Sequence, residues 1–183
     1  MKNNTSLINK ISQPDNLRKI LKEKNFIPIP SCFDALSAKL IEQANFDVTF
    51  MSGFAASASR IGAPDLGLMT FSEVFDQANN ICNAIDIPMI VDGDTGYGNA
   101  MNVRRTLKEC SKAGCAGILI EDQLAPKRCG HTPGKDVVNR EEAFDSPSSL
   151  TRLDPMATHT SAEFVSSKSS SLLDEEKDDA KRP

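Results

Sequence analysis

Two aspartates, Asp92 and Asp94, follow a short apolar segment within residues 90–98, whose sequence is IVDGDTGYG. The wholly apolar run 87–91 predicts a buried strand. Because side chains alternate along a strand, both carboxylates are expected on one face at its C-terminal end, where α/β folds bind ligands. Oxygen ligands there suit a hard divalent cation such as Mg²⁺. Spacing alone leaves two other interpretations open: solvated loop acids, or acids that cap the helix beginning near Asn99.

A second apolar segment, residues 117–120, also ends in acid, at Glu121. The stretch that follows, residues 126–135 (PKRCGHTPGK), holds two prolines and two glycines, which favour an exposed loop. The basic residues around its cysteine, Cys129, are Lys127, Arg128 and His131. Their charge favours the thiolate, so Cys129 could act as a proton donor or a nucleophile. The alternative is a surface loop with an ordinary thiol, and the two acidic strand ends upstream argue against it.

Together these stretches resemble the isocitrate lyase/phosphoenolpyruvate mutase superfamily. The motifs that carry the resemblance are the run DGDTGYGN at 92–99, the Glu-Asp-Gln ending at 121–123 and the Lys-Arg-Cys-Gly-His loop at 127–131, with weaker likeness at 52–54 and 61–65. It runs from about Phe26 to Glu142 and is strongest toward the small lyases of the superfamily. These are methylisocitrate lyase, dimethylmalate lyase, oxaloacetate-cleaving enzymes and plant proteins named carboxyvinyl-carboxyphosphonate phosphorylmutase. The cysteine is specific, because the phosphonate-forming mutases lack it.

The resemblance implies a lyase that breaks a carbon–carbon bond in small 2-hydroxy or 2-oxo dicarboxylic acids through a metal-stabilised enolate. A chelated metal absorbs the charge that develops when the bond breaks. The implied cofactor is Mg²⁺, with Mn²⁺ as the alternative ion. Asp92 would be the nearest ligand, and three further acids would hold the metal's waters. These three are Asp65, Asp94 and Glu121.

The same resemblance assigns the substrate side of the site. Backbone N–H groups of Gly53 and Phe54, after Ser52, would cradle the substrate carboxylate, and Tyr97 would donate a hydrogen bond. Cys129 would protonate the departing fragment as its loop closes. The residues that would orient charge around it are Lys127, Arg128 and His131. In the superfamily, other substrate contacts come from later strands, which are not recognisable in this chain.

Composition excludes several other classes of function. A net charge of −4 leaves no basic footprint for nucleic acid, and no apolar run approaches the roughly 20 residues of a membrane helix. The expected partner is therefore a small carboxylic acid, while the longer relatives are homo-oligomers by resemblance. The five cysteines have no metal-finger spacing, and Cys82 and Cys110 fall on apolar helix stripes. A reducing, cytoplasmic location fits best.

Hydrophobic periodicity predicts alternating helices and strands. Strands are expected at 26–30, 48–52, 87–91 and 117–120, and helices at 14–25, 35–45, from Thr70 to about 85, and 99–113. Leu36 and Leu40 are placed on the buried stripe of the second helix, and residues 54–69 are expected to form a long loop. This βαβ order with apolar strands predicts an α/β fold with a parallel sheet. Four such units correspond to half of a TIM-type (β/α)8 barrel.

The character of the sequence changes near residue 145, where Ser-rich and charged low-complexity stretches begin. We expect an N-terminal helical extension (1–25), a partial barrel domain (26–144) and a disordered tail (145–183). A truncated form of a longer enzyme would have this pattern, and we then expect little or no lyase activity from the chain alone. Two alternatives stay open: a phosphonate-forming phosphorylmutase, and a catalytically dead half-barrel.

Overall fold

A computed structural model describes residues 12–128, 134 and 136–139 of the 183-residue chain. The helices are α1 (Gln13–Glu23), α2 (Ala35–Gln43), α3 (Gly53–Ile61), α4 (Phe71–Ala84) and α5 (Ala100–Ala113). The strands are β1 (Ser31–Cys32), β2 (Thr49–Met51), β3 (Met89–Asp92) and β4 (Gly117–Leu119). The expected extension before residue 12 and the expected tail at 145–183 lie outside the described residues.

The four strands form one parallel sheet in the order β1-β2-β3-β4. In the central pair, Phe50 lies opposite Ile90, and in the next pair Asp92 lies opposite Leu119. Neighbouring strands are therefore consecutive in sequence and joined by helical crossovers, as in βαβ units. The α/β class and the parallel pairing expected from the sequence are confirmed, and the carboxyl ends of all four strands meet at one edge.

Side chains of β3 alternate between two cores. Met89 and Val91 join the larger cluster, which includes Ala78 and Ile81 of α4 and Cys110 of α5. Ile90 points the other way and packs in a smaller cluster around Leu17 of α1, Val48 and Ala116. Because β3 is covered on both sides, its C-terminal carboxylate emerges from a rigidly held strand.

The first strand lies later in the chain than the predicted 26–30. Pro28 and Pro30 have no N–H to donate to a ladder, and Phe26 is 81% exposed. Pairing begins at the carbonyl of Pro30, which accepts from the backbone N–H of Phe50 at 3.1 Å. The N–H of Ser52 then bonds the Cys32 carbonyl at 3.1 Å. The short β1 therefore occupies the first residues after the prolines.

The expected loop at 54–69 is wrong over its first half, where α3 forms. Ser52 caps this helix by accepting from the Ala55 N–H at 3.3 Å. Its interior is rich in alanine, the strongest helix former. It ends at Gly62, whose φ of +63° is the left-handed conformation typical of a glycine C-cap. Residues 62–69 then connect α3 to α4.

The predicted apolar stripe of α2 is also wrong. Leu36 and Leu40 are 68% and 57% exposed, whereas Ala38 is fully buried. Ile41 packs at the margin of the large cluster. By contrast, α4 and its C-cap bury a continuous apolar stripe, made by Val74, Ala78, Ile81 and Ile85. Among the described helices, none has the length and apolar character that crossing a bilayer requires.

Candidate metal centre and active site

Asp92 ends β3 and is held by two backbone donors. The N–H of Gly53, at the start of α3, donates to Oδ2 of Asp92 at 3.2 Å. The N–H of Asp94 donates to Oδ1 of Asp92 at 3.1 Å. Asp94 itself has a φ of +48°, a left-handed conformation that aspartate tolerates better than most residues. The turn after β3 therefore places two carboxylates side by side, and main-chain donors anchor that of Asp92.

Asp65, from the segment between α3 and α4, completes a cluster with these two acids. One carboxylate oxygen from each of Asp65, Asp92 and Asp94 lies within 4.8 Å of the others. Asp65 and Asp94 are largely buried, with side chains 13% and 11% exposed. Three carboxylates gathered at the carboxyl edge of a parallel sheet are a donor set that could hold a divalent metal. The residues present therefore fit such an ion.

Lys127 inserts its ammonium group into the same cluster. Its Nζ lies 3.1 Å from Oδ1 of Asp65 and 3.8 Å from Oε1 of Glu121, and it donates a hydrogen bond to Oδ1 of Asp94. The Lys127 side chain is only 4% exposed. A buried cation surrounded by carboxylates offsets part of their mutual repulsion.

Glu121 is positioned by main-chain hydrogen bonds that continue the β3–β4 pairing. The Gly93 N–H donates to the Leu119 carbonyl at 2.8 Å, and the Glu121 N–H donates to the Asp94 carbonyl at 2.7 Å. The Glu121 carboxylate accepts from the amide of Gln123. This side chain is less enclosed than the aspartates, at 32% exposed. Glu121 therefore stands at the rim of the cluster and reaches it through Lys127.

Burial changes the ionisation of these groups. It raises the pKa of Asp92 above its ordinary value, although the Lys127 charge and the Asp94 N–H oppose the shift. It also raises the pKa of Glu121, again against the Lys127 charge. For Lys127, burial alone would lower the pKa, but the hydrogen bond and charge of Asp94 outweigh it and the pKa lies above its ordinary value. Lys127 is therefore a stable cation.

The Tyr97 side chain is hydrogen-bonded to Asp94, in the turn that follows β3. Its hydroxyl donates to Oδ2 of Asp94 at 3.0 Å, and its ring lies 5.5 Å from that of Phe71, centroid to centroid. Burial and the Asp94 charge raise the pKa of Tyr97 far above its ordinary value, so the hydroxyl remains a donor. Tyr97 also lines a small cleft beside Asp65, Gly67 and Met69.

The expected oxyanion segment lies at the start of α3, next to the cluster. Ser52 acts as the helix cap, and Phe54 is 56% exposed. The Gly53 N–H, assigned by resemblance to a substrate carboxylate, instead bonds Asp92. A Cβ at Gly53 would lie 2.7 Å from Oδ2 of Asp92, so glycine allows this close approach.

The basic loop after β4 is only partly described. Cys129 and His131 lie outside the described residues, whereas Arg128 is exposed and donates its backbone N–H to Oε1 of Gln123 at 3.1 Å. The base of the loop is closed where Gln123 forms an isolated antiparallel bridge with Val137. The predicted proximity of Cys129 to the acids therefore stays a prediction.

Sequence reasoning missed two contributions to this site. It treated Lys127 as a charge near Cys129, not as the partner of Asp65 and Asp94. It also gave no role to Gln123, which links Glu121 to the Arg128 backbone through both ends of its amide. A signal was available for Gln123, since it belongs to the Glu-Asp-Gln motif after β4.

Parallel strands in sequential order, alternating with helices and carrying acids at their carboxyl ends, define the described residues as four strands of a (β/α)8-type barrel. The family model described as phosphoenolpyruvate phosphomutase matches residues 17–165, a longer stretch than the 26–142 over which the sequence resemblance was expected. The chain belongs to this family, and with it to the isocitrate lyase/phosphoenolpyruvate mutase superfamily.

Three known proteins illustrate the relationship. The chain is 46% identical over 126 residues to 2,3-dimethylmalate lyase of Eubacterium barkeri, covering 69% of this chain and 44% of that protein. It resembles a structure of oxaloacetate acetylhydrolase in complex with the inhibitor 3,3-difluorooxalacetate, with a TM-score of 0.73 and 35% identity. That match covers 77% of this chain and 48% of the other. It also resembles a phosphonopyruvate hydrolase complex with oxalate and Mg²⁺, with a TM-score of 0.70 and 30% identity. That match covers 79% of this chain and 49% of the other. The chain thus spans about half the length of these relatives.

Proposed function

We propose that this chain carries the metal-binding part of a Mg²⁺-dependent carbon–carbon lyase for small 2-hydroxy or 2-oxo dicarboxylic acids. The observation that carries the proposal is the convergence of Asp65, Asp92 and Asp94, with oxygens within 4.8 Å of one another. The similarity to 2,3-dimethylmalate lyase and to oxaloacetate acetylhydrolase supports this substrate class.

Asp92, Asp94 and Asp65 would hold the metal, with Glu121 at the rim. When bound, Mg²⁺ would supply Lewis-acid stabilisation of the negative charge that develops on the substrate. The chain's own groups prepare the site: the Gly53 and Asp94 N–H groups orient the Asp92 carboxylate, and the Tyr97 hydroxyl orients that of Asp94. Fixed donors of this kind keep the ligands in place before any ion arrives.

Lys127 would act as an internal counter-charge. Four carboxylates and one ammonium leave a formal charge of about −3 if all are ionised, which still favours a divalent cation. Cys129 would protonate the carbanion-like fragment that leaves when the carbon–carbon bond breaks. Its place two residues after Lys127 supports that role, because Lys127 anchors the start of the loop beside the acids.

Metal binding can be tested without any assumption about turnover. Isothermal titration of the full chain with Mg²⁺ or Mn²⁺ should give one site, and Asp92→Ala should abolish it. Asp47→Ala is the matched control, because Asp47 pairs with Lys24 and precedes β2, at the opposite edge of the sheet. Absence of saturable binding by the unmodified chain would refute the metal centre.

Catalysis needs a separate assay. The full chain, and a version extended by the later strands of a relative, should be tested with oxaloacetate, methylisocitrate and dimethylmalate for Mg²⁺-dependent release of oxalate, pyruvate or their analogues. We expect activity in the extended version, with Cys129→Ser slowing it. An extended, folded and metal-loaded protein that cleaves none of these acids would contradict the lyase proposal.

The second candidate is phosphoryl transfer onto carbon, favoured by the matched family description and by the similarity to phosphonopyruvate hydrolase. The same carboxylates could serve such a reaction, since they would bind the same metal. Cys129 argues against it, because the phosphonate-forming members lack that cysteine. ³¹P NMR with phosphonopyruvate, applied to the extended version, tests this reaction. Interconversion with phosphoenolpyruvate would establish the mutase, and an unchanged spectrum from a protein that cleaves the dicarboxylic acids would exclude it.

A further inference from the structure

Two free thiols face each other at the far end of the sheet from the acids. Cys82, near the end of α4, and Cys115, just before β4, have their Sγ atoms 3.7 Å apart. The two residues are 33 positions apart in the sequence, so this contact is made by the fold and not by neighbouring residues. Because Cys115 precedes β4 while Glu121 follows it, the thiols lie at the N-terminal edge of the sheet.

The two sulfurs have different surroundings. Cys115 is 1% exposed and also meets the thiol of Cys110, whereas Cys82 is half-buried. A reagent from solution can therefore reach Cys82 more easily than Cys115. The tight turn before Cys115 is made by Gly114, whose φ is +96° and whose missing Cβ would stand 3.7 Å from that of Cys82.

We propose that Cys82 and Cys115 form an oxidisable pair, which closes into a disulfide when the folded chain meets a small-molecule disulfide such as oxidised glutathione. A disulfide needs the sulfurs about 2.05 Å apart, so closure requires an approach of about 1.7 Å from the 3.7 Å contact. The residues that would move belong to the turn at Gly114 and the end of α4, and neither segment contains a residue of β3 or of the acidic cluster.

The chemistry proceeds in two exchange steps. The Cys82 thiolate attacks one sulfur of glutathione disulfide, forming a mixed disulfide and releasing one glutathione thiolate. Cys115 then gives up its proton to solvent, and its sulfur attacks the Cys82 sulfur and expels the second glutathione. The protein loses two protons and two electrons, and the oxidant becomes two molecules of reduced glutathione.

The ionisation of the two thiols agrees with this order of attack. A hydrogen bond from Cys115 lowers the pKa of Cys82. Hydrogen bonds with Cys110 and Cys82, together with burial, raise the pKa of Cys115. Cys82 is thus the better nucleophile toward an external reagent, while Cys115 depends on its proximity to Cys82. In a reducing cytosol the pair would stay open, and oxidising conditions would tie α4 to the entry of β4.

The test uses the full chain, incubated natively with oxidised glutathione, then alkylated and digested with trypsin. Trypsin places Cys82 in peptide 61–104, Cys110 in 109–112 and Cys115 in 113–127, so each thiol is reported separately. We expect a cross-link between the peptides 61–104 and 113–127, lost again after treatment with dithiothreitol. A Cys110–Cys115 cross-link, or complete alkylation of Cys82 after oxidation, would overturn the proposal.

Variants separate the two steps. Cys115→Ala should trap glutathione on Cys82, because the resolving thiol is gone, while Cys82→Ala should leave Cys115 unmodified. Cys32→Ala is the matched control, a buried thiol whose loss should not change the cross-link yield. Glutathione on Cys115 in the Cys82→Ala variant would contradict the assigned order. The peptide map of the unmodified chain decides the main claim even if a variant fails to fold.

Discussion

The backbone N–H of Gly53 donates a 3.2 Å hydrogen bond to Oδ2 of Asp92, joining the first turn of α3 to the end of β3. This contact brings the positive end of a helix to a half-buried carboxylate. It also leaves no space for a side chain, because a Cβ on Gly53 would lie 2.7 Å from the same oxygen. The orientation of Asp92 therefore depends on a residue 39 positions earlier in the chain.

Gly53→Ala should weaken metal binding while leaving the fold intact. The added methyl group displaces the Asp92 carboxylate and lengthens its hydrogen bond, and losses of outer contacts of this kind reduce metal affinity roughly 10- to 100-fold. Titration with Mn²⁺ measures the effect. Gly117→Ala is the matched control, because a Cβ there meets its nearest atoms at an ordinary 3.6 Å. Equal affinity in the two variants would contradict the assigned role.

Lys127→Met should destabilise the chain, and Mg²⁺ should restore part of the loss. The substitution removes a buried cation and leaves Asp65 and Asp94 facing each other, which costs about 3–5 kcal/mol for a buried pair. Urea unfolding with and without Mg²⁺ measures both effects. Lys112→Met, which breaks the exposed pair with Glu109, should cost under about 1 kcal/mol. Similar losses in the two variants would show that the buried pairing is not important.

Stability without metal should fall as Asp92 ionises. Burial raises its folded-state pKa above the ordinary 3.8, so the folded chain binds the proton more tightly than the unfolded chain. Raising the pH through the folded pKa therefore removes stability. Asp92→Asn lacks this charge. With a chelator present, the free energy of unfolding of the variant should therefore exceed that of the unmodified chain by more at about pH 7 than at about pH 4. A difference in unfolding free energy that shrinks with rising pH would refute the expected loss of stability on Asp92 ionisation.

Tyr97→Phe should cost about 1.5–3 kcal/mol, the range for a hydrogen bond to a charged group. The substitution keeps the ring beside Phe71 and removes the 3.0 Å bond to Asp94. Thr106→Val is a useful comparison, because it removes a neutral bond from the hydroxyl to the Gly96 carbonyl at 3.1 Å. Urea denaturation of both variants should show the larger loss for Tyr97→Phe, and the reverse order would contradict the argument.

The sequence predicted those features that depend on local pattern. The helix expected from Thr70 does begin there, where Thr70 and Glu73 form a capping box. The acids after two apolar segments lie at the carboxyl ends of β3 and β4. Period-2 alternation was a poorer guide beyond the strand, because β3 stops at Asp92 and Asp94 lies in a turn with positive φ. The two carboxylates meet through turn geometry, which spacing alone does not encode.

Hydrophobic periodicity and short motifs do not predict contacts between side chains that are far apart in the sequence. Nothing in the sequence near Lys127 indicates that its ammonium would contact Asp65, which lies on a different connection. Helix α3 was missed because serine and glycine at 52–62 favour a loop by composition, whereas Ser52 and Gly62 serve as its caps. Read as caps around an alanine-rich core, the same residues would have predicted the helix.

The main-chain bonds from Gly93 to Leu119 and from Glu121 to Asp94 have a consequence for engineering. They fix the acidic turn and the end of β4 in register without help from any side chain. A slip of one residue would exchange Glu121 for a neighbour pointing to the other face. Residues 89–94 and 117–121 therefore form a two-strand cassette that could be grafted onto another parallel sheet, where backbone pairing alone should reproduce the spacing of its acids.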